Sequence, residues 1–244
     1  MSERPCLYFR QNIFYLCADL KQNNMQGTTT HRKKIVRYSY LKLMGSSVFV
    51  SLICCLLAYS LKHITGYVQE RIAESVVDFD RRLFIILPSI GITAIYFLRK
   101  YAFQNRKNKG IKEIYTTLET RKDHLPFFKI PSHYINGFLT VIFGGSTGIE
   151  VSTVVATATV GNQAYKRLHP AWAYKTELIC AAVIAGVTLL FGSALGGLLF
   201  AFEVISRKYS KTLMISGISS MLVASLFVYY LDAAPLCNFT AKQW

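Results

Sequence analysis

The sequence predicts an all-α protein that crosses a membrane several times. Of its 244 residues, 52% are hydrophobic and 17% are charged, whereas a soluble protein of this size carries roughly 25% charged residues. The charged residues are also gathered into blocks between long apolar runs. A helix needs about 20 apolar residues to cross the hydrocarbon core of a bilayer, and several of these runs approach or exceed that length.

The first two apolar runs predict a helical hairpin. They are Leu41–Ile64 and Leu83–Leu98, and the stretch between them, 66–82, is close to neutral. The segment before the first run and the connection after the second are strongly basic; the connection contains Arg99, Lys100, Arg106, Lys107, Lys109, Lys112, Arg121 and Lys122. Because basic loops stay on the cytoplasmic side, we expect a cytoplasmic N-terminus and an external 66–82 loop.

This pattern divides the chain into three parts. Residues 1–40 are expected to form a basic cytoplasmic segment, 41–232 a transmembrane domain and 233–244 a short tail. We place the protein in the plasma (inner) membrane, with the lipid bilayer as its first partner.

The charge balance and the reactive residues exclude several other classes of protein. The formal net charge is +15, but no basic stripe interleaves with exposed aromatics as nucleic-acid binding requires. Three of the six cysteines, Cys54, Cys55 and Cys180, lie in apolar runs and are interpreted as small core residues. The sequence contains no paired metal-ligand spacing, nucleophile–base pattern or phosphate-binding loop. We therefore expect no metal, no cofactor and no enzymatic activity.

The later apolar runs are shorter and interrupted by glycine. They are Tyr134–Phe143, Val151–Val160, Ala171–Leu190 and Ser193–Ile205, divided by Gly144, Gly145, Gly148, Gly161 and Gly192, and a full-length run, Met214–Leu231, closes the series. Short runs of this kind are typical of re-entrant or discontinuous helices that line a cavity. Ordinary packing of small residues between helices gives the same pattern, and periodicity alone leaves both interpretations open.

Glu150 is the most informative single residue. It follows a glycine-rich turn and opens the apolar stretch Val151–Val160, and an ionisable residue within a membrane segment indicates a functional site. A helix that begins here has partial positive charge at its first turn, which favours an anion. The Glu150 carboxylate would compete with a dissolved anion for that position. The alternative is a glutamate that only stabilises a helix N-terminus.

Three blocks of the sequence resemble the CLC family of chloride channels and proton-coupled anion transporters. Residues 148–154 match the Gly, the Glu and the following Thr-Val of the family signature G-[KR]-E-G-P…T-V, with Ile149, Val151 and Ser152 in place of the other signature residues. Residues 108–114 echo G-S-G-I-P, and residues 191–203 resemble F-N-A-P-L-A-G-x-L-F-x-x-E. The order and the spacing of the blocks agree over residues 45–232.

The resemblance implies a bundle of tilted and discontinuous helices built as two inverted halves, of which this chain resembles only the N-terminal half. It implies transport of chloride or a similar small anion and a homodimer that associates through the Ser193–Ile205 helix. It identifies Glu150 as the gating glutamate and residues Gly148, Ile149, Glu150 and Val151 as an anion-binding helix N-terminus.

Further path residues implied by the resemblance have ordinary alternatives. The anion-coordinating serine of the family corresponds to Lys109, followed by Gly110 and Ile111; a solvated cytoplasmic lysine explains Lys109 equally. Glu203 corresponds to an inner carboxylate, although an ion pair with Arg207 also explains it. The proton-relay glutamate of the family's exchangers corresponds to Val204, which is similar to the family's channels.

The second half of the family pattern, with its G-x-F-x-P motif and pore-facing tyrosine, has no counterpart in the sequence. Three hypotheses remain open. The chain is a fragment of a full-length channel or transporter; two antiparallel copies recreate the missing half; or the chain is a non-transporting interaction subunit of a full-length relative. The strong basic asymmetry of the loops disfavours the antiparallel arrangement.

Overall fold

The computed structural model describes residues 5–79, 83–101, 110–119, 125–145, 148–168, 174–206 and 209–231, with side chains described from residue 36 onward. The chain divides into two units, Met1–Lys42 and Leu43–Trp244. The regular elements of the described residues are all helices: α1 (Pro5–Phe79), α2 (Leu83–Tyr101), α3 (Ile111–Glu119), α4 (Lys129–Ile142), α5 (Gly148–Leu168), α6 (Lys175–Phe191), α7 (Ala194–Phe200, continued by a π-helical segment Ala201–Ser206) and α8 (Lys211–Tyr230).

Helix α6 is the centre of the second unit. Each of its residues from Glu177 to Leu190 is buried, as expected of a helix that is apolar on all sides. Helix α5 packs along it, and Gly161 allows the close approach, because a Cβ there would lie 2.7 Å from the carbonyl oxygen of Leu178. At the other end of the α5–α6 pair, Ile149 of α5 and Leu190 of α6 belong to the same hydrophobic cluster. The two helices are therefore antiparallel.

Hydroxyl groups connect α1, α8 and α6. The hydroxyl oxygens of Ser47 and Ser216 are 2.7 Å apart, and those of Ser51 and Ser220 are also 2.7 Å apart. Ser216 donates to the carbonyl oxygen of Glu177, and Ser220 donates to that of Ala181. Because neither helix gains from the hydrophobic effect in lipid, interhelical hydrogen bonds of this kind fix their pairing.

Most of the predicted 66–82 loop is helical, whereas its external position stays a prediction. Helix α1 continues to Phe79, and the residues 80–82 lie outside the described part. The charged side chains of Glu70, Arg71 and Glu74 are exposed, so that water solvates them without breaking the helix. Arg71 and Glu74 form an exposed pair at 3.9 Å, and glutamate and arginine are good helix formers.

The glycines divide the later runs at two of the predicted places and fail to divide them at a third. Helix α4 ends before Gly144, which has a φ of +88°, and α6 ends before Gly192, which has a φ of +67°. Such left-handed conformations are natural for glycine and terminate helices. Helix α5 begins at Gly148, as predicted, but continues through Gly161, whose role is helix packing. The division predicted at Gly161 is therefore wrong.

Two helical stretches in the described residues are long and apolar enough to cross a membrane, Val36–Val76 and Lys211–Tyr230. Shorter apolar helical stretches cover Ile85–Leu98 and Ala194–Ser206. The cysteines Cys54, Cys55 and Cys180 are free thiols in the core, which confirms their interpretation as small buried residues.

Candidate functional site

In the first turn of α5, Glu150 lies at the surface and the residue before it, Ile149, is buried. Ile149 is buried against Leu61 and Leu190, whereas Glu150 and Val151 are exposed. Among the described residues, none donates a hydrogen bond to the Glu150 carboxylate. Its negative charge sits at the positive end of a 21-residue helix, where the helix dipole favours an anion.

The start of α3 lies beside the start of α5. Gly110, which precedes α3, has a φ of +61°, and a Cβ on it would lie 3.6 Å from Cγ1 of Val151. Ile111, the first residue of α3, packs against the core cluster that contains Val154 and Val155 of α5. Two of the predicted path residues, Gly110 and Ile111, are thus brought to the predicted anion-binding turn. Two helix N-termini, each with partial positive charge, converge there.

The turn that leads into α5 is held by α2. Phe143 closes α4, and its ring occupies space beside Gly91, where a Cβ would come within 2.5 Å of the Phe143 Cβ. The next turn is fixed by a hydrogen bond from the amide of Gly145 to the carbonyl oxygen of Thr140, at 2.8 Å. The packing role of Gly91 depends on a residue 52 positions later in the chain, which no local pattern reveals.

A buried ion pair that was not predicted from the sequence supports α3. The Lys129 amino group donates to the Glu113 carboxylate, and both side chains are buried. Glu113 is the third residue of α3 and Lys129 the first of α4, so the pair joins the two helices. A carboxylate in the first turn of an apolar-faced helix was the available signal, and it is the same signal that singled out Glu150.

The remaining predicted residues are elsewhere or outside the described residues. Glu203 is exposed in the π-helical segment, which packs on α6 and α7, so the structure does not bring it to the α3–α5 turn. Val204 is half-buried against the core. Lys109 and Arg207 lie outside the described residues, as do the predicted tail at 233–244 and most side chains of the 1–40 segment.

Nothing in the described part of the chain forms a group of three His, Cys, Asp or Glu side chains able to hold a metal ion. The α3–α5 turn offers helix ends, backbone amides and one carboxylate. This chemistry suits a small anion and a proton, since a helix N-terminus binds the first and a carboxylate binds the second.

Comparisons with known proteins agree with the helical architecture. The profile of the family described as "Voltage gated chloride channel" matches residues 90–243. A CLC-type fluoride/proton antiporter has a similar structure, with a TM-score of 0.61 and 23% sequence identity over 82% of this chain and 51% of the antiporter. A slow cyanobacterial Cl⁻/H⁺ antiporter has a TM-score of 0.60 and 17% identity over 76% of this chain and 47% of its own.

The chain therefore spans about half the length of the solved structures that it matches. No curated protein sequence matches it. The predicted fold, an all-α half of the CLC type, is confirmed.

Proposed function

The chain belongs to the voltage-gated chloride channel family, and on this premise we propose that it contributes one half of a membrane pathway for chloride or a similar small anion. In this proposal the anion binds at the turn formed by Gly148, Ile149, Glu150 and Val151, with Gly110 and Ile111 beside it. The observation that carries the proposal is the convergence of the α3 and α5 N-termini. A Cβ added to Gly110 would lie only 3.6 Å from Cγ1 of Val151.

Glu150 acts as the gate in this proposal. Its carboxylate is tethered at the place that the anion would take, so the two compete for the same helix end. The side chain is exposed, and no described residue donates a hydrogen bond to it, which leaves it able to swing away. Protonation removes its charge and ends its attraction to the helix end, so that an anion can enter.

The proposed anion pathway needs a second half to enclose it. Glu150 and Val151 are exposed, and the chain spans about half the length of each antiporter that it resembles. We propose that a further half, either in the same polypeptide or in a second chain, covers this surface. We propose that the basic N-terminal segment and the basic 99–122 connection both lie on the cytoplasmic side of the plasma (inner) membrane, because basic loops stay on that side.

Anion efflux from proteoliposomes tests the gate. If a second copy of the chain supplies the further half, the purified protein should release chloride and fluoride faster than empty vesicles. Glu150→Gln, which mimics the protonated gate, should then remove the dependence of efflux on external pH. Glu70→Gln, an exposed glutamate on α1, is the matched control and should behave as the unmodified protein. Efflux equal to that of empty vesicles would contradict autonomous transport. Efflux that Glu150→Gln and Glu150→Ala leave unchanged would contradict the gate.

A second candidate function is favoured by the exposed apolar face of α7. Leu195 and Leu199, one turn apart, are 66% and 62% exposed, and they lie on the Ser193–Ile205 helix expected to form a homodimer. If the chain transports nothing alone, we propose that it acts as an interaction subunit that binds a second copy or a full-length relative through this face. The mass of the protein in detergent solution, compared with that of Leu195→Ser/Leu199→Ser, tests this association; an unchanged mass would contradict it.

A further inference from the structure

Glu177 is a second carboxylate in the first turn of a helix, and neither the anion turn nor the gate uses it. It is the third residue of α6, and its side chain is only 7% exposed. Ile149, beside Glu150, packs on Leu190 at the far end of α6. Glu177 precedes Leu190 by 13 residues (190 minus 177), which is about 20 Å along a helix axis. The two carboxylates therefore lie at opposite ends of α6.

The two oxygens of the Glu177 carboxylate have different surroundings. Oε1 accepts a hydrogen bond from the Thr212 hydroxyl at 2.6 Å. Oε2 is buried and has no hydrogen-bond partner among the described residues, and Glu177 forms no ion pair with any of them. Burying an unpaired oxygen costs far less free energy when the group is uncharged than when it is ionised. Among the described residues, no cationic side chain and no hydrogen-bond donor lies at Oε2, so only the N-terminal end of α6 offsets a negative charge there.

A chain of hydroxyl groups connects Glu177 to the surface. The hydroxyl of Thr212 is 2.9 Å from that of Ser210, the N-cap of α8, and Ser210 is exposed. Ser210 accepts from the amide of Leu213 at 3.1 Å, so its own proton is available to Thr212. Since α8 is a candidate membrane span and Lys211 begins it, we expect Ser210 to lie at a membrane–water boundary.

The charged and titratable groups described near this row of hydroxyls are Cys180, Lys175 and Lys211. The Cys180 thiol lies about one turn further along α6 and is close enough to interact electrostatically with Glu177. The Lys175 amino group donates to the carbonyl oxygen of Thr117 at 3.3 Å. Lys211 is exposed, and α1 presents the uncharged Ser47 hydroxyl to Ser216 at this end.

We propose that Glu177 is a proton-binding site that is loaded from the aqueous face through Ser210 and Thr212. The Thr212 proton moves to Oε1, the Ser210 proton moves to Thr212, and a proton from water replaces the one that Ser210 lost. The net change is one proton taken from solution and one carboxylate converted to a carboxyl group. Rotation of the two hydroxyls restores their starting orientation.

This site is independent of the gate. It goes beyond the proposed anion pathway and gives the chain an exchangeable carboxylate at each end of α6. Loss of anion transport in a Glu150 variant would leave proton binding at Glu177 unchanged, so that the two proposals can fail separately.

Infrared difference spectroscopy on the full chain in lipid bilayers tests the site. On acidification we expect a carboxyl C=O band at higher frequency than that of solvated carboxyls, because Oε2 accepts no hydrogen bond, and a shift of this band in D₂O. Glu177→Gln should lose the band, and the exposed control Glu70→Gln should keep it. A band that persists in Glu177→Gln would overturn the assignment.

Variants of Thr212 test the path separately and keep the proposal falsifiable if Glu177→Gln fails to fold. Thr212→Val preserves the shape of the side chain and removes the hydroxyl, so the band should appear more slowly after a pH jump. Thr212→Ser, which restores the hydroxyl, should recover the original rate. Equal rates in Thr212→Val and the unmodified protein would overturn the route through Ser210 and Thr212.

Discussion

Glu150 and Glu177 occupy the same position of two neighbouring helices and have opposite surroundings. Each is the third residue of its helix, so each carboxylate meets the same positive helix end. Glu150 is exposed and no described residue donates to it, whereas Glu177 is buried and accepts from Thr212. The helix supplies the same attraction in both places, and the neighbouring elements decide whether the carboxylate can leave it.

A third glutamate, Glu113, has the strongest partner of the three. Glu113 is also the third residue of its helix, α3, and it is buried with a full ionic partner, Lys129. The three sites thus range from no described partner, through one hydroxyl, to an opposite charge. If this ranking describes how firmly each carboxylate is held, the cost of removing its partner should follow the same order.

The largest effect is expected at Glu113. Lys129→Met leaves a buried carboxylate without its opposite charge, and such a change typically costs about 3–5 kcal/mol of stability. Denaturation of the protein in detergent micelles measures the loss. Lys129→Met/Glu113→Gln removes both charges and should recover part of it. A double variant no more stable than the single one would show that the ion pair is not what the lysine contributes.

An intermediate effect is expected at Glu177. Thr212→Val removes the hydrogen bond to Oε1 and leaves a second buried oxygen unpaired, at a cost of about 1–3 kcal/mol. Thr212→Ser should cost less, because the hydroxyl remains. The same denaturation experiment compares the two, and equal losses would mean that side-chain packing, and not the hydrogen bond, is responsible.

The smallest effect is expected at Glu150. Glu150→Gln changes an exposed side chain with no described donor, so its stability should stay within about 0.5 kcal/mol of the unmodified protein. Thermal unfolding of Glu150→Gln and of Thr212→Val, measured under the same conditions, compares their losses of stability. A loss at Glu150→Gln as large as that at Thr212→Val would show that the Glu150 carboxylate is held as tightly as that of Glu177, and the comparison would fail.

The sequence predicted the features that depend on local composition. The segregated apolar runs indicated the all-α membrane fold, and the glycines before Glu150 indicated the start of α5 at Gly148. A charged residue after a glycine-rich turn in an apolar context is unusual enough to be recognised from the chain alone. The assignment of Gly110 and Ile111 to the anion path came from the family resemblance and not from spacing, and it stays a prediction.

The features that depend on tertiary packing were missed. Gly161 looked like a helix break, but its missing Cβ admits the backbone of α6. The partners of Glu113 and Glu177 lie 16 and 35 residues away along the chain, beyond the reach of helical periodicity. The end of α1 was misplaced because solvated charges at 70–74 end an apolar run without ending a helix.

The hydroxyl pairs between α1 and α8 have a consequence for how the domain is made. Ser47 and Ser216, like Ser51 and Ser220, are 169 residues apart in the chain, so nearly the whole domain must be synthesised before either pair can form. Until α8 has entered the bilayer, the buried hydroxyls of α1 can bond only to carbonyl oxygens of their own helix, as Ser47 does with Leu43. Insertion of the last helix is therefore the event that completes these contacts, and a ribosome that stalls before Ser216 leaves Ser47 and Ser51 without their partners on α8.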